Sequence, residues 1–596
     1  MASSYQNSTS EDHNPNFSDI PVSTNRRSVA DGISRTDQGL PGHPHRGVLD
    51  EHARPTDDNT EYGADAHLPD PDRPMLVQSH AGEFNADHGT ILSLPRSVFI
   101  FAGCAALNSC NLGYDIGVNT SAAEHLQRDM DLSDVQLELF MGSLNLFAMI
   151  GALASNVISD MLGRRGAFMA AAAGFIIGVV FECTSYTYTM LMVGRCFVGL
   201  GVGFGLAVDP IYISEIAPAA HRGKLVTWSE IATNIGIVFG FMAGLFFYKS
   251  NDGTAWRGMF GLGIILPSIM ILLALFVMPE SPRWLASKGR DDEARGVLRQ
   301  VYPPDFDVDA VLKDIKENIR KDTAAEHAVG WDVLLFPTPA FKRMMIVGIG
   351  VAISQQIVGI DAIQYFLTFI LDEAGVKDGV AKILILISLG LLKLGFIVVA
   401  GHLFDTIGRR PLFFVSLGGM AVSLLILSFN FYSFNSPAIA ILCLAMYLSS
   451  FSVGMGPGCW LIPAEIFPTV IRAKAMSIAT FMNRVTGTLM ASTFLSTANA
   501  MSWAGFFLLL AIICVICALF IYMYLPETKG RSLEDMSRYF AEITNDRSIL
   551  DAGAQNAVTQ GVDGIKGDFD YENDNIRNER SQPQSEDEVA AVGTMA

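Results

Sequence analysis

The sequence predicts an all-α membrane protein, with twelve transmembrane helices in two six-helix repeats and a cytosolic helical linker between them. The chain has 596 residues, of which 50% are hydrophobic and only 17% charged. Its mean hydropathy is +0.34, which is typical of membrane proteins rather than soluble domains. About twelve apolar stretches are long enough to cross a bilayer, each needing roughly 20 residues. Short motifs also recur in the same order in both halves.

The apolar stretches form two sets of six, separated by a longer polar segment. Each boundary is placed to within about four residues. The predicted spans begin near Arg96, Val135, Gly166, Met190, Lys224 and Gly258 in the first set, and near Arg343, Lys377, Pro411, Pro437, Lys474 and Trp503 in the second.

The strongest repeat is DxxGRR, which occurs twice, about 245 residues apart. Two companion motifs keep nearly the same offset. The pairs are DMLGRR (160–165) with DTIGRR (405–410), EIAPAAHRG (215–223) with EIFPTVIRA (465–473), and PESPRW (279–284) with PETKG (526–530). Three pairs in one order predict a duplicated module.

The orientation follows from the basic residues in the short loops, because Lys and Arg are retained on the cytoplasmic side. One set of loops is basic and contains Arg164, Arg165, Arg222, Lys224, Arg409, Arg410, Arg472 and Lys474. Loops 184–189, 430–436 and 497–502 on the other side contain no Lys or Arg. An even number of crossings then places both termini of this multi-pass protein in the cytoplasm.

Composition divides the chain into five regions. Polar, acidic flanks at 1–95 and 527–596 carry much of the net charge of -19, and we expect the first to be a disordered cytoplasmic tail and the second to be mostly disordered. The six-helix halves occupy 96–280 and 343–526. Residues 281–342 show helical periodicity with charge on the outer face, which favours a helical linker over a plain flexible one.

Five ionisable residues lie at membrane depth: Asp115, Arg195, Glu230, Asp361 and Lys393. Each charge costs about 2.5 to 3.5 kcal/mol at the centre of a membrane helix. They should therefore be paired, protonated or in contact with a wet cavity. Asp115 and Arg195 form a natural ion pair. The alternatives are a helix cap at the outer mouth for Asp115 and a snorkelling side chain for Arg195.

Nothing in the sequence predicts an enzyme. The glycine run from Gly199 to Gly205 lies inside an apolar helix and follows no strand, so it indicates close helix packing rather than a dinucleotide loop. No nucleophile elbow or metal-ligand spacing occurs. We therefore expect no metal, no cofactor and no nucleic-acid partner.

The repeated motifs, with SQQIVGIDAIQYF at 354–366, resemble those of the sugar porter family of the major facilitator superfamily. The resemblance covers residues 96–536. It is closest to plant-type polyol and monosaccharide proton symporters, on the basis of Glu230, Asp361, Lys393 and NRVT at 483–486. Leu112 stands where relatives often have Phe, which leaves the sugar preference open.

The resemblance implies proton-coupled symport of a polyol or monosaccharide by alternating access. It implies that Asp115 carries the proton, the only coupling ion, and that Arg195 holds this carboxylate ionised. For Trp460 the alternative is core packing. The implied substrate-binding residues are Glu230, Gln355, Gln356, Asp361, Tyr365, Lys393, Trp460 and Asn483. Lys393 is expected to pair with Asp361 or Glu230.

The DxxGRR loops are implied to form a cytoplasmic gate, although topology alone also explains their arginines. The implied gate residues pair within each half: Asp160, Arg164 and Arg165 against Glu215 and Arg222 in the first, and Asp405, Arg409 and Arg410 against Glu465 and Arg472 in the second. We expect a protein that works as a monomer in a lipid bilayer, in the plasma membrane or, alternatively, an internal one. A sugar sensor and a proton-independent facilitator remain alternative functions. Regulators that bind the tails are unknown.

Overall fold

The computed structural model describes residues 95–218, 222–247, 255–303, 306–328 and 337–546. The predictions for the two polar flanks fall largely on residues 1–94 and 547–596, which lie outside the described residues. The described chain is built of helices, as the apolar runs predict.

Among the described residues, the first half contains six helices. A single long helix covers the second and third predicted spans and bends at Gly163, whose φ of 81° and ψ of 172° are not helical. The helices are α1 (Arg96–Asp129), α2 (Asp134–Cys183), α3 (Tyr188–Ile216), α4 (Arg222–Phe247), α5 (Ala255–Leu262) and α6 (Ile265–Phe276).

The described part of the linker contains three helices, which fits the predicted helical cluster. They are α7 (Pro282–Ser287), α8 (Asp291–Val301) and α9 (Val308–Ala328). The Ser281 hydroxyl caps α7 by accepting a hydrogen bond from the Trp284 N–H, which satisfies one of the free donors at a helix start. Apolar residues of α8, such as Ala294 and Leu298, are buried, and its first turn is acidic.

The second half repeats this plan with more interrupted helices. They are α10 (Pro339–Ile357), α11 (Ile360–Tyr365), α12 (Leu367–Glu373), α13 (Gly379–Ile407), α14 (Arg409–Phe429), α15 (Pro437–Val453), α16 (Met455–Ile466), α17 (Thr469–Ser492), α18 (Phe494–Met501) and α19 (Trp503–Tyr524). The π-helical turn Asn430–Phe434 follows α14, and helix α20 (Leu533–Thr544) follows the last span.

Eleven segments of the described chain are long and apolar enough to cross a membrane. The predicted span that is not among these eleven is α17, which begins at Thr469 rather than near Lys474. Its hydropathy is lower because it carries polar residues such as Asn483 and Arg484, which belong to the site described below. The third span, predicted to begin near Gly166, follows the bend at Gly163, within the stated margin of about four residues.

Small residues bring the helices of the first half into close contact. A β-carbon added to Gly113 of α1 would lie 1.8 Å from the Thr233 carbonyl oxygen of α4. On α3, a β-carbon on Gly203 would lie 2.1 Å from the Ala148 carbonyl oxygen. The glycine run therefore has the packing role that its apolar surroundings predict.

Candidate functional site

The first cluster of buried charge joins α1 to α3. Arg195 Nη1 donates to both carboxylate oxygens of Asp115, at 2.9 and 3.0 Å. The same guanidinium donates through Nε to the Phe140 carbonyl oxygen at 3.2 Å and lies 4.7 Å from the centre of the Phe140 ring. Asp115 is 2% exposed and Arg195 0%. The structure thus brings the predicted pair together inside the helix bundle rather than at its mouth.

A third charged residue in this cluster was missed at the sequence level. Glu182, in the last turn of α2, is fully buried, and its Oε1 lies 3.8 Å from Arg195 Nη1. The signal in the sequence is a single acidic residue at the end of the third apolar stretch. The sequence gives the position of a residue along a helix, but not which neighbouring helix its side chain faces.

The second cluster lies between the two halves and contains most of the predicted substrate-binding residues. Asn483 Nδ2 donates to Gln355 Oε1 at 2.8 Å, and Gln355 Nε2 donates to the Gly456 carbonyl oxygen at 3.1 Å. Gln356 is buried, and its Oε1 has no hydrogen-bond partner in the described chain. Tyr365 is 1% exposed. Trp460 is partly buried against the core, so the structure leaves both of its interpretations open.

One side chain from the first half connects two charged groups of the second. Asn145 of α2 donates through Nδ2 to Asp361 Oδ2 at 3.2 Å, and its Oδ1 accepts from Arg484 Nη1 at 3.0 Å. Neither Asn145 nor Arg484 was predicted as a site residue, although Arg484 stands inside the NRVT motif. An amide within an apolar helix gives no charge signal, and its partners are distant in sequence.

The expected pairing of Lys393 with Asp361 or Glu230 is wrong in this structure. Lys393 Nζ donates instead to Gln364 Oε1 at 2.9 Å and lies 5.9 Å from the centre of the Phe451 ring. Both carboxylates still act on the ammonium group electrostatically. A neutral amide on α11 satisfies the lysine directly because it is closer.

Glu230 of α4 supplies an acceptor to this cluster. Its carboxylate takes no hydrogen bond from the described part of the chain, while its backbone carbonyl accepts from Asn234 Nδ2 at 2.8 Å. The side chain is partly exposed. The site therefore holds acidic, basic and amide groups together, a set that suits a polyhydroxylated molecule, which both donates and accepts hydrogen bonds.

Polar contacts join the halves on the side predicted to be extracellular. Glu138 of α2 is fully buried and accepts from the backbone N–H and the hydroxyl of Ser496, at 2.6 and 2.5 Å. Three further contacts cross this outer seal: Asn499 to Asp134 at 3.1 Å, Lys382 to Glu124 at 2.8 Å, and the Thr120 hydroxyl to the Gln364 carbonyl oxygen at 2.9 Å.

The DxxGRR motif of the first half forms a compact cluster. Arg164 pairs with Glu215 through Nε at 2.9 Å and Nη2 at 3.0 Å, and contacts Asp160 at 3.4 Å. Glu280, from PESPRW, accepts the backbone N–H of Arg164 at 2.8 Å and that of Arg165 at 3.2 Å.

The second half repeats these contacts. Arg409 donates to Glu465 Oε1 through Nε at 3.1 Å and Nη2 at 2.9 Å. Glu527, from PETKG, accepts the backbone N–H of Arg409 and of Arg410, both at 3.0 Å. Glu280 and Glu527 were seen in the sequence as motif companions only; here they cap the helical turns that follow the two motif glycines.

The predicted gate is wrong in one respect. Arg165 and Arg410 were expected to join the ion pairs, but each donates to a backbone carbonyl, of Leu275 and of Tyr522 respectively, at 2.7 Å. Arg472 donates through Nε to the Phe467 carbonyl oxygen at 3.1 Å. The side chains of Arg222 and Asp405 lie outside the described residues.

Known proteins resemble this chain in sequence and in fold. Residues 101–540 match the family model described as Sugar (and other) transporter. The chain is 37% identical over 449 residues to probable polyol transporter 4 of Arabidopsis thaliana, covering 75% of this chain and 85% of the relative. It is 33% identical over 450 residues to the glucose transporter GlcP of Staphylococcus epidermidis, covering 74% and 97%.

Two solved structures of the xylose transporter XylE are also similar. The inward open conformation of the E. coli protein has a TM-score of 0.64 and 28% identity, covering 74% of this chain and 99% of that one. The major facilitator superfamily proton:xylose symporter XylE bound to 6-bromo-6-deoxy-D-glucose has a TM-score of 0.63 and 28% identity, covering 75% and 99%.

Proposed function

The chain belongs to the sugar transporter family of the major facilitator superfamily, and on that premise we propose that it carries out proton-coupled symport of a polyol or monosaccharide by alternating access. The Asp115–Arg195 contact is the observation that carries the proposal. A proton symporter needs a group that gains and loses a proton within the membrane, and Asp115 is a carboxylate there with one strong partner.

Protonation of Asp115 would weaken its bond to Arg195, since a neutral carboxyl no longer attracts the guanidinium. Sugar binding between the halves would follow, then rocking of the halves and release of the proton on the inner side. At about 100 mV, one proton is worth about 2.3 kcal/mol, equivalent to a roughly fifty-fold sugar gradient. One proton per sugar is therefore enough for useful accumulation.

The central cluster would bind the cargo. Glu230, Asp361 and Arg484 offer charged acceptors and donors, Gln355 and Gln356 offer amides, and Trp460 offers a flat apolar face for the C–H side of a sugar or polyol. Lys393 would act through Gln364 rather than through a carboxylate. The polar contacts of the outer seal join the two halves on the side predicted to be extracellular. They therefore support assigning this structure to the inward-facing stage of the cycle.

The domain boundaries given above, cytoplasmic termini, a plasma-membrane location and activity as a monomer in the lipid bilayer belong to the same proposal. Gating by the two DxxGRR clusters does too. Their contacts lie within each half, which supports rigid ends that hold each half together while the halves move against each other.

The first test is Asp115→Asn in proteoliposomes. Because the amide cannot bind the proton at this site, we expect uphill uptake and sugar-evoked proton current to fall at least a hundredfold, while sugar counterflow continues. The substrates to measure are linear polyols, inositol, hexoses and pentoses. Asp209→Asn is the matched control: Asp209 is also fully buried in the first half but bonds to the Ser109 hydroxyl rather than to an arginine.

The outcome separates the functions. Unchanged accumulation in Asp115→Asn would refute the assignment of the proton site. A wild-type protein that moves sugar without proton current would be a facilitator. One that binds sugar without moving it would be a sensor.

A further inference from the structure

Glu182 has no assigned role in the transport cycle, yet it is the second carboxylate at Arg195. Its Oε1 lies 3.8 Å from Arg195 Nη1, the nitrogen that bonds Asp115 at 2.9 Å. The three groups come from three helices of the first half: Asp115 from α1, Glu182 from α2 and Arg195 from α3. Two acids thus compete for one guanidinium.

The environment of Glu182 leaves it short of partners. The side chain is 0% exposed, and neither carboxylate oxygen has a hydrogen-bond partner in the described chain. Arg195 Nη2, in the same cluster, also lacks one there. A β-carbon on Gly194 would lie 2.7 Å from Glu182 Cγ, so the missing side chain at this position makes the room that Glu182 occupies.

Loading a proton on Asp115 creates a problem that Glu182 can solve. An arginine at membrane depth without a carboxylate is unstable, because both desolvation and the loss of its partner act against it. If Asp115 becomes neutral, Arg195 needs another anion. Glu182 needs to close a gap of only about 1 Å to form a charge-assisted hydrogen bond.

We propose that Glu182 is the second partner of Arg195 and takes the guanidinium when Asp115 binds the transported proton. The arginine then exchanges one carboxylate for another instead of being left unpaired inside the helix bundle. This inference rests on the proposed proton symport. Glu182 is a positioning residue here, because it acts on Asp115 through Arg195.

Other titratable groups around the pair come from each packed helix. Tyr114 lies next to Asp115 on α1, Cys183 follows Glu182 on α2, and Tyr365 faces Arg195 from α11 in the second half. All three are neutral near pH 7 in their ordinary forms. Glu182 is therefore the group in this set that can offer Arg195 a second negative charge.

The test is the external pH dependence of the sugar-evoked proton current in Glu182→Gln. Without the second carboxylate, protonation of Asp115 would leave Arg195 with no carboxylate partner. We therefore expect the pH midpoint of the current to move about one unit toward acid, that is, about tenfold more protons for half-maximal current. Asp209→Asn, a matched loss of a buried acid, should keep the wild-type midpoint.

Glu182→Asp provides the second variant. It keeps the charge but draws the carboxylate back by one methylene, so we expect a smaller shift in the same direction. A wild-type midpoint in a folded Glu182→Gln protein would overturn the inference. If Glu182→Gln does not fold, Glu182→Asp decides, and a wild-type midpoint there would overturn it as well. Absence of proton current in the wild-type protein would instead refute the proposed symport itself.

Discussion

The DxxGRR clusters of the two halves use the same parts in different surroundings. In each half, a glycine at positive φ is followed by two arginines, whose backbone N–H groups bind one carboxylate, Glu280 or Glu527. Each carboxylate also accepts an N–H from its own loop, of Ser281 or of Lys529, at 2.9 Å. Duplication has preserved the contacts closely.

The two carboxylates differ in the direction in which their surroundings shift the pKa. Burial, the largest influence, raises the pKa of Glu280 above its ordinary value of 4.5, and the backbone N–H groups of Ser281 and Arg164 offset this only in part. Around Glu527, burial also acts upward, but the backbone N–H groups of Lys529, Arg409 and Arg410 outweigh it, so its pKa lies below 4.5. The same motif therefore holds one carboxylate whose charge the fold disfavours, Glu280, and one whose charge the fold favours, Glu527.

The following loop explains part of this divergence. After Glu280, the Ser281 hydroxyl caps linker helix α7, and Trp284 Nε1 donates to the Asp160 carbonyl oxygen at 3.2 Å, which covers the cluster. After Glu527, the Thr528 hydroxyl donates to Glu465 Oε2 at 2.5 Å and joins the ion pair itself. The loop after Glu280 leads into the linker, while the loop after Glu527 contacts the Arg409–Glu465 ion pair.

The largest effects should come from the motif glycines. Gly163 has φ 81° and ψ 172°, and Gly408 has φ 106° and ψ 167°, a region open to glycine almost alone. A β-carbon would lie 2.3 Å from Glu280 Oε2 but 3.1 Å from Glu527 Oε2. We expect each Gly→Ala change to cost about 2 kcal/mol or more in stability, with Gly163→Ala the worse.

Thermal unfolding of the purified variants in detergent, read beside transport, measures this ranking. Gly289→Ala is a useful control, because Gly289 also has positive φ (73°) but has open space around it. It reports backbone strain without the clash. Equal unfolding temperatures for the Gly163 and Gly408 variants would remove the steric part of the comparison.

Neutralising the two caps should have intermediate effects. Glu527→Gln removes a carboxylate that is favoured as the anion, and we expect a loss of about 1 kcal/mol at pH 7. Glu280→Gln should lose no stability at pH 7, because burial disfavours the charge that this change removes. The folded-state pKa of Glu527 is lowered, so its contribution is present above pH 4.5 and is lost as the pH falls through that lower value.

For Glu280 the sign is reversed. Its folded-state pKa is raised, so its contribution is greatest below pH 4.5 and declines as the pH rises through the folded value. Unfolding measured from pH 4 to 8 should therefore show both variants close to wild type at the acidic end. With rising pH the Glu280→Gln protein should become more stable than wild type and the Glu527→Gln protein less stable. Parallel curves for the two variants would contradict the comparison.

The smallest effect should come from Thr528→Val. The change keeps the shape but removes the hydroxyl that reaches Glu465, and we expect a loss of about 0.5 kcal/mol. Hydrogen exchange should rise around Arg409 and Arg410. Ser281→Ala is the matched change in the first half, and there exchange should rise in α7 instead. Increased exchange at Arg164 in Ser281→Ala would mean that the two loops act alike after all.

The sequence predicted what depends on repetition, length and charge. The duplicated motifs, the apolar runs and the basic loops yielded the family and the two six-helix halves, and the membrane-depth charges pointed to Asp115 and Arg195. It could not predict contacts that depend on rotation around a helix. Lys393 is buried within an apolar helix, but Gln364 rather than an acid reaches its ammonium group.

The outer seal shows the same limit for a different reason. Glu138 and Ser496 are 358 positions apart and belong to no repeat, so nothing in the chain pairs them before folding. Glu280 and Glu527 were visible as repeated letters, yet their capping of an arginine pair follows only from the backbone path at Gly163 and Gly408. A repeated motif indicates that its residues matter, but it does not predict which residues they contact.

In the proposed transport cycle, Asn145 would give the two faces of the membrane unequal access to the same site. In this structure its amide occupies one oxygen of Asp361 and one nitrogen of Arg484. Because Asn145 belongs to the first half and its partners to the second, separation of the outer ends would pull them apart and free both groups. Cargo arriving from outside would then meet two hydrogen-bonding groups that cargo on the inside finds already in use. The site would therefore bind cargo more tightly from outside than from inside, while the proton and sugar gradients would still set the direction of net transport.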